Sequence, residues 1–259
     1  MNHPAPGTPR LPSGAANLAA PAPRTSGGKP DLSGVWQIEP TPREELTKLF
    51  GDISTLDVPG DDATIFSKYF LNILADFKPG EEPMRPEAAR LFRERGERQG
   101  KDLSTTRCLP AGVPLADLYP FPFKIVQTPT LLLVLYEGDE SRRQIYTDGR
   151  KPPADADPLW LGYSIGHWEG GMLVVNSTGF NDKTWLDAFG HPHSEALYVV
   201  ERLRRRDFGH LDLEVTVDDS KMYTRPFTVK FTERLIPDSD LLEYFCAENE
   251  RDWNHMSGR

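Results

Sequence analysis

From residue 122 onward the chain is written in a two-residue alternation, interrupted every few residues by turn formers. Leu211, Leu213, Val215 and Val217 alternate with Asp212, Glu214, Thr216 and Asp218. In an extended strand successive side chains point to opposite faces, so one face here is apolar and the other polar. A helix would need its apolar positions three and four apart. The same reading gives strands at 123–128, 131–136, 142–147, 163–169, 172–178, 196–206, 210–217, 227–235 and 241–246. A first strand surrounds Trp36, with Gly34, Trp36 and Ile38 on one side. Between them lie Pro129-Thr130, Gly138-Asp139, Gly170-Gly171, Asp207-Phe208-Gly209 and Pro237-Asp238-Ser239-Asp240. The Gly-Gly pair suits a primed hairpin turn in which both central residues take positive φ.

Consecutive hairpins make a meander, and a long meander removes its exposed edges by closing on itself. The expected fold is mainly β: an antiparallel up-and-down barrel of about 8–10 strands. A twisted open sheet with a helix across one face is the competing architecture. There is no βαβ alternation and no repeat of fixed period. Between the first two strands lies a helical insertion, about residues 41–100. Thr41-Pro42-Arg43-Glu44 spells a capping box leading a short helix to Phe50. Ile65, Phe66, Tyr69, Phe70, Ile73, Leu74 and Phe77 recur at helical spacing and predict a helix over about 63–76. A charged helix follows from Pro86 to about Gln99.

Residues 1–30 hold seven prolines and four glycines without hydrophobic periodicity, which predicts a disordered leader ahead of a single barrel domain, 31–259. Leaders of this composition often follow a cleaved export signal, so an exported protein, periplasmic or extracellular, is expected. A cytoplasmic protein with an irregular tail is the alternative. Cys108 and Cys246 either close one long loop, worth roughly 4 kcal/mol in the chain-entropy description, or stand as two buried thiols. The exported reading favours the bond. No apolar run reaches the ~18 residues of a membrane span. A net charge of −9 opposes nucleic-acid binding, and Arg202-Leu203-Arg204-Arg205-Arg206 reads as a solvated strand end.

Gly34-Val35-Trp36 resembles the Gly-x-Trp signature of lipocalins and related calycin barrels, where the tryptophan packs across the barrel base. The stretch from Tyr163 to Val175, with Thr178 to Asp187 and Gly190-His191-Pro192-His193-Ser194-Glu195, is similar to a large family of uncharacterised, mostly exported proteins from soil bacteria. The resemblance spans roughly residues 30–250 and brings no established reaction. Gly171 stands where that family would have an aspartate.

The densest polar stretch, residues 180–195, gathers His191, His193, Asp182, Asp187, Glu195 and Trp185 on one loop, and loops on rigid scaffolds commonly carry chemistry. His191 and His193 suit general acid–base work, with Asp187 or Glu195 orienting a ring and Trp185 as a stacking wall. The same two histidines could chelate a divalent metal in His-x-His fashion, or serve only to satisfy the loop backbone. Lys124, Tyr146, Arg150 and His167 could line a barrel interior and meet an anionic or oxygen-rich ligand; ordinary surface alternation is the other reading. The expected function is small-molecule binding at the barrel mouth with cofactor-independent acid–base chemistry: a lyase, isomerase or hydrolase. A non-enzymatic exported carrier and a metal-binding protein are the alternatives.

Overall fold

The computed structural model describes residues 4–53, 65–153, 155, 157–246 and 248. Nine strands close into one ring in chain order. They are β1 (Gly34–Ile38), β2 (Phe123–Gln127), β3 (Leu131–Tyr136), β4 (Arg142–Tyr146), β5 (Tyr163–Glu169), β6 (Met172–Thr178), β7 (Tyr198–Arg205), β8 (His210–Asp218) and β9 (Phe227–Leu235), with β9 returning to β1. Each neighbouring pair is antiparallel except β4 and β5, which run parallel. Parity requires one such junction. Each antiparallel step reverses the strand direction, so a ring with an odd number of strands cannot come back to its start through reversals alone. The wholly antiparallel barrel expected from the hairpins is therefore corrected to a mixed one. Residues 147–162 make the crossover that a parallel pair needs. The ladder at this seam holds two residue pairs, Ile145–Ser164 and Tyr146–Ile165; β7 and β8 share eight.

Closure also disposes of the strand expected at 241–246. That segment is irregular, because with β9 paired to β1 the ring has no free edge to receive it. It is tied down by other means. Cys108 and Cys246 are disulfide-bonded, Cα atoms 5.5 Å apart. Lys124 pairs with Asp240 at 2.7 Å, and the Leu242 N–H donates to Glu137 at 2.7 Å.

The ring encloses the inward half of every alternating strand. Leu211, Leu213, Val215 and Val217 are buried as their spacing predicts. Trp36 is fully buried at one end, its Nε1–H donating to the Leu32 carbonyl at 3.0 Å. The Arg205 guanidinium lies 4.9 Å from that ring and donates to the Asp31 and Ser33 carbonyls, fastening the entry of β1 to β7. Gly34 has φ 149°, and a Cβ there would come within 2.5 Å of Leu235 Cδ1; only glycine fits this approach. At the Gly170-Gly171 turn, only Gly170 takes positive φ (60°). The turn thus follows the II′ pattern.

In the insertion, helix α1 covers Arg43–Phe50 and α3 covers Pro86–Glu97, as the sequence predicts. The capping box does not form: Thr41 Oγ1 instead accepts the Lys68 N–H at 2.9 Å. Of the helix expected over 63–76, residues 63 and 64 lie outside the described residues. The remainder forms one turn, α2 (Lys68–Leu71). The Ser67 hydroxyl accepts the Tyr69 N–H, Asn72 accepts the Leu74 N–H, and Ile73 donates to Asp187. Such side-chain bonds compete with helical ones. The apolar stripe is still buried, through Tyr69, Leu71, Ile73 and Leu74. A fourth short helix, α4 (Leu115–Leu118), is buried along its whole length.

Residues 4–30, expected to be disordered, carry two successive turn units. Arg10 donates to the Gly14 carbonyl and Arg24 to that of Gly28, and the Leu11–Ala15 and Thr25–Lys29 backbone bonds correspond. Leu18 and Leu32 then occupy matching places: Leu32 enters the core and Leu18 packs on Gly209. This local repeat eluded the sequence reading because only Pro-Arg, one glycine and the closing leucine are shared between the units.

Candidate functional site

The thin seam between β4 and β5 is reinforced by a side chain. Arg143 points inward with Ile145 and is almost wholly buried. Its Nε–H donates to Ser164 Oγ on β5 at 3.0 Å and one Nη2–H to Ser177 Oγ on β6 at 2.9 Å. Its fork meets both carboxylate oxygens of Glu201 on β7, one of them at 2.9 Å. One arginine thus links β4 to three further strands where the backbone ladder is shortest.

Asp117 of α4 reaches the same group. Its Oδ2 lies 3.5 Å from Arg143 Nη1, and its Oδ1 accepts the Tyr136 hydroxyl at 2.7 Å. Burial, with the neighbouring Glu201 charge, pushes its carboxyl up to about 7, against the opposing pull of Arg143. Glu233 on β9 is a third buried acid. Neither of its carboxyl oxygens has a hydrogen-bond partner among the described residues. Burial, reinforced by Asp117 and Glu39, lifts it well above the usual carboxylate range, so it is held as the neutral acid.

Over the seam lies a groove of about 390 Å³ whose lining includes Arg142, Arg143, Gln144, Tyr146, Trp160 and Tyr163. Arg143 borders it too, with its side chain turned into the ring and buried. Tyr146 and Tyr163 stack with ring centres 5.4 Å apart and planes 25° from parallel. The Arg150 guanidinium sits 3.8 Å over Tyr146 and pairs with Asp148 at 2.6 Å; Lys183 lies 5.8 Å from the centre of Trp160. A smaller recess of about 10 Å³, with room for one water, is bordered by Tyr136, Ala116, Tyr119 and Phe121.

The loop of the two histidines is placed differently. Asp187 is fully buried and accepts backbone N–H bonds from Ile73, Gly190 and His191 as well as the His191 Nδ1–H. His191 stacks on Phe92 of α3 with ring centres 4.2 Å apart. Trp185 is buried under Arg95 of the same helix, which also donates to the Gly190 carbonyl. His193 Nδ1–H donates to the Ser194 carbonyl at 3.2 Å, leaving Nε2 to accept the Thr184 hydroxyl at 2.7 Å. Burial lowers the pKa of His193, so it stays neutral. The structure therefore brings His191, Asp187 and Trp185 together as a clamp between loop and insertion, while His193 turns to other partners. Glu195 is exposed and stands apart from both rings. Among the described residues, no group of three or more His, Cys, Asp or Glu is arranged to hold a metal ion.

The second predicted set stands on the outer wall. Parity decides this: Ile125, Ile145 and Ser164 take the inward positions. Lys124 pairs with Asp240, and His167 bonds to Glu169 at 2.9 Å, both half-exposed or exposed. Tyr146 lines the groove on the outside of the barrel, and Arg150 stacks over it. Arg143, Glu201 and Glu233 were missed as site residues, although alternation marks them. Each shares its strand face with core residues: Ile145, then Val199 and Leu203, then Val229 and Leu235. Nothing in Leu115-Ala116-Asp117-Leu118 signals the role of Asp117.

No helix among the described residues is long and apolar enough to cross a membrane. In comparisons with protein families, curated proteins and solved structures, nothing matches this chain.

Two outcomes follow from the buried groups. Asp117 and Glu233 have raised pKa values in the fold, so the unfolded chain loses their protons first. Stability should fall as pH rises from about 4 through 7. In Glu233→Met that fall should be smaller, with a gain of about 1–3 kcal/mol at pH 8 in urea titrations; a slope unchanged from wild type would contradict the assignment. Asp187→Ala should cost about 3–5 kcal/mol by leaving buried donors and His191 without their acceptor. Glu195→Ala should stay within about 0.5 kcal/mol of wild type. Equal midpoints for these two variants would show that the clamp is not there.

Proposed function

We propose that this barrel binds a small organic molecule in the groove over its β4–β5 seam, against Arg142, Gln144, Tyr146, Trp160 and Tyr163. One observation carries the reading: an open groove on the outer wall is lined by the rings of Tyr146, Trp160 and Tyr163 together with the exposed Arg142. The volume suits a small-molecule site, which typically combines apolar walls with few placed polar groups. The barrel wall holds those groups rigidly, and the ligand lies outside the ring, since inward positions are filled by side chains.

A second reading, cofactor-independent acid–base catalysis of the lyase, isomerase or hydrolase kind, has its own support. Asp117, at about 7, sits one hydrogen bond behind Arg143 and can hold or release a proton near neutral pH. The acid–base role expected of His191 and His193 passes to Asp117 in this reading, because both rings are closed in by bonds that fix their loop. A carrier would use the same groove without turnover. Kinship with lipocalin-like barrels is supported by the closed ring and by Trp36 at its end beneath Arg205. Export is supported by the Cys108–Cys246 bond, since such bonds persist in oxidising compartments.

The test is a ligand screen read by Trp160 fluorescence and ligand-observed NMR. A ligand found with the wild type should bind at least about tenfold more weakly to the Trp160→Ala, Tyr163→Ala double variant, with the urea midpoint little changed. Undiminished binding to that variant would overturn the groove reading.

A further inference from the structure

Resting on the groove reading, we infer that the ligand is a monocarboxylate carrying an aromatic ring on a short spacer. Charge is the first argument. The whole chain bears −9, yet the groove rim offers cations. Arg142 is exposed and has no carboxylate partner among the described residues. Lys183 stands over Trp160 rather than against an acid. Asp148, two residues from Tyr146, is already taken by Arg150 through both carboxylate oxygens. An arriving anion thus meets one unshared guanidinium fork, whose geometry matches a carboxylate through two parallel hydrogen bonds.

Shape is the second argument. Arg142, Gln144 and Tyr146 lie in one row on the outer face of β4, because alternate residues share a face. The row places a cationic fork, then an amide, then a ring stacked on Tyr163. At roughly 3.3 Å per residue the Arg142 and Tyr146 backbones are about 13 Å apart. The arginine side chain covers part of that span. What remains fits one ring and a two- or three-carbon chain ending in a carboxylate. The ring lies against Trp160 and Tyr163, since Arg150 and Tyr163 already cover Tyr146.

The number of unshared cations sets the charge of the anion. Arg143 is already neutralised by Glu201, and Asp117 is beside it. A dianion such as a phosphate monoester would find a single unshared fork. A monoanion needs no more than Arg142.

Isothermal calorimetry on the intact protein with four probes tests this: 3-phenylpropanoate, its neutral analogue 3-phenylpropan-1-ol, phenyl phosphate and methyl glucoside. The carboxylate should bind at least about tenfold more tightly than the alcohol or the phosphate. Arg142→Gln, a change at an exposed side chain, should erase the advantage over the alcohol and leave the alcohol's own affinity unaltered. If the alcohol or the glucoside binds as well as the carboxylate, and Trp160→Ala with Tyr163→Ala still abolishes it, the ligand class is wrong and the groove stands. Preference for phenyl phosphate, or a carboxylate affinity indifferent to Arg142→Gln, likewise overturns the class. Binding of none of the four overturns the groove reading together with this inference.

Discussion

The buried Arg143–Glu201 pair is the interaction on which the rest of the architecture turns. A ring of nine strands must contain a parallel junction, and that junction is where the backbone contributes least. Arg143 crosses from β4 to Ser164, Ser177 and Glu201, so four strands are joined by one side chain. Such a pair adds little net stability, since desolvation offsets most of the attraction, but removing one partner leaves a buried charge and costs several kcal/mol. Its effect is to fix how the ring closes. The groove lies over the same seam, so the junction that closes the barrel also shapes the candidate site.

A second fastening holds the insertion to the barrel. Asp187 collects three backbone donors and a histidine, one of the donors coming from Ile73 in the insertion. Phe92 and Arg95 of α3 cover His191 and Trp185. This explains why so many polar and aromatic residues crowd residues 180–195. The loop has many backbone groups to satisfy and no ladder to satisfy them. Density of chemistry-bearing residues in sequence marked a clamp, whereas the candidate site assembles from residues scattered between Ala116 and Glu233.

Much of the ring was legible. Strands β3, β5, β6 and β9 have the bounds that alternation predicts, because each has one face sealed and one wet. The parallel seam was not, since it depends on counting strands around a closed ring and not on any local pattern. The helix over 63–76 misled for a related reason. Apolar residues at helical spacing record burial, and Ser67, Asn72 and Asp187 diverted the backbone bonds a helix would have used. Arg143, Glu201 and Glu233 sat at inward parity throughout, on the faces of Ile145, of Val199 and Leu203, and of Val229 and Leu235.

Residue-resolved amide hydrogen exchange tests the seam most directly. Wild type would be compared, below about pH 7 where Asp117 is held as the neutral acid, with a variant carrying both Arg143→Met and Glu201→Met, which removes both partners of the pair. If Arg143 stands in for the missing ladder, amides of β4 and β5 should exchange at least about tenfold faster in the variant, with those of β7 and β8 near their wild-type rates. Unchanged protection at the seam, or an equal loss around the whole ring, would contradict that account.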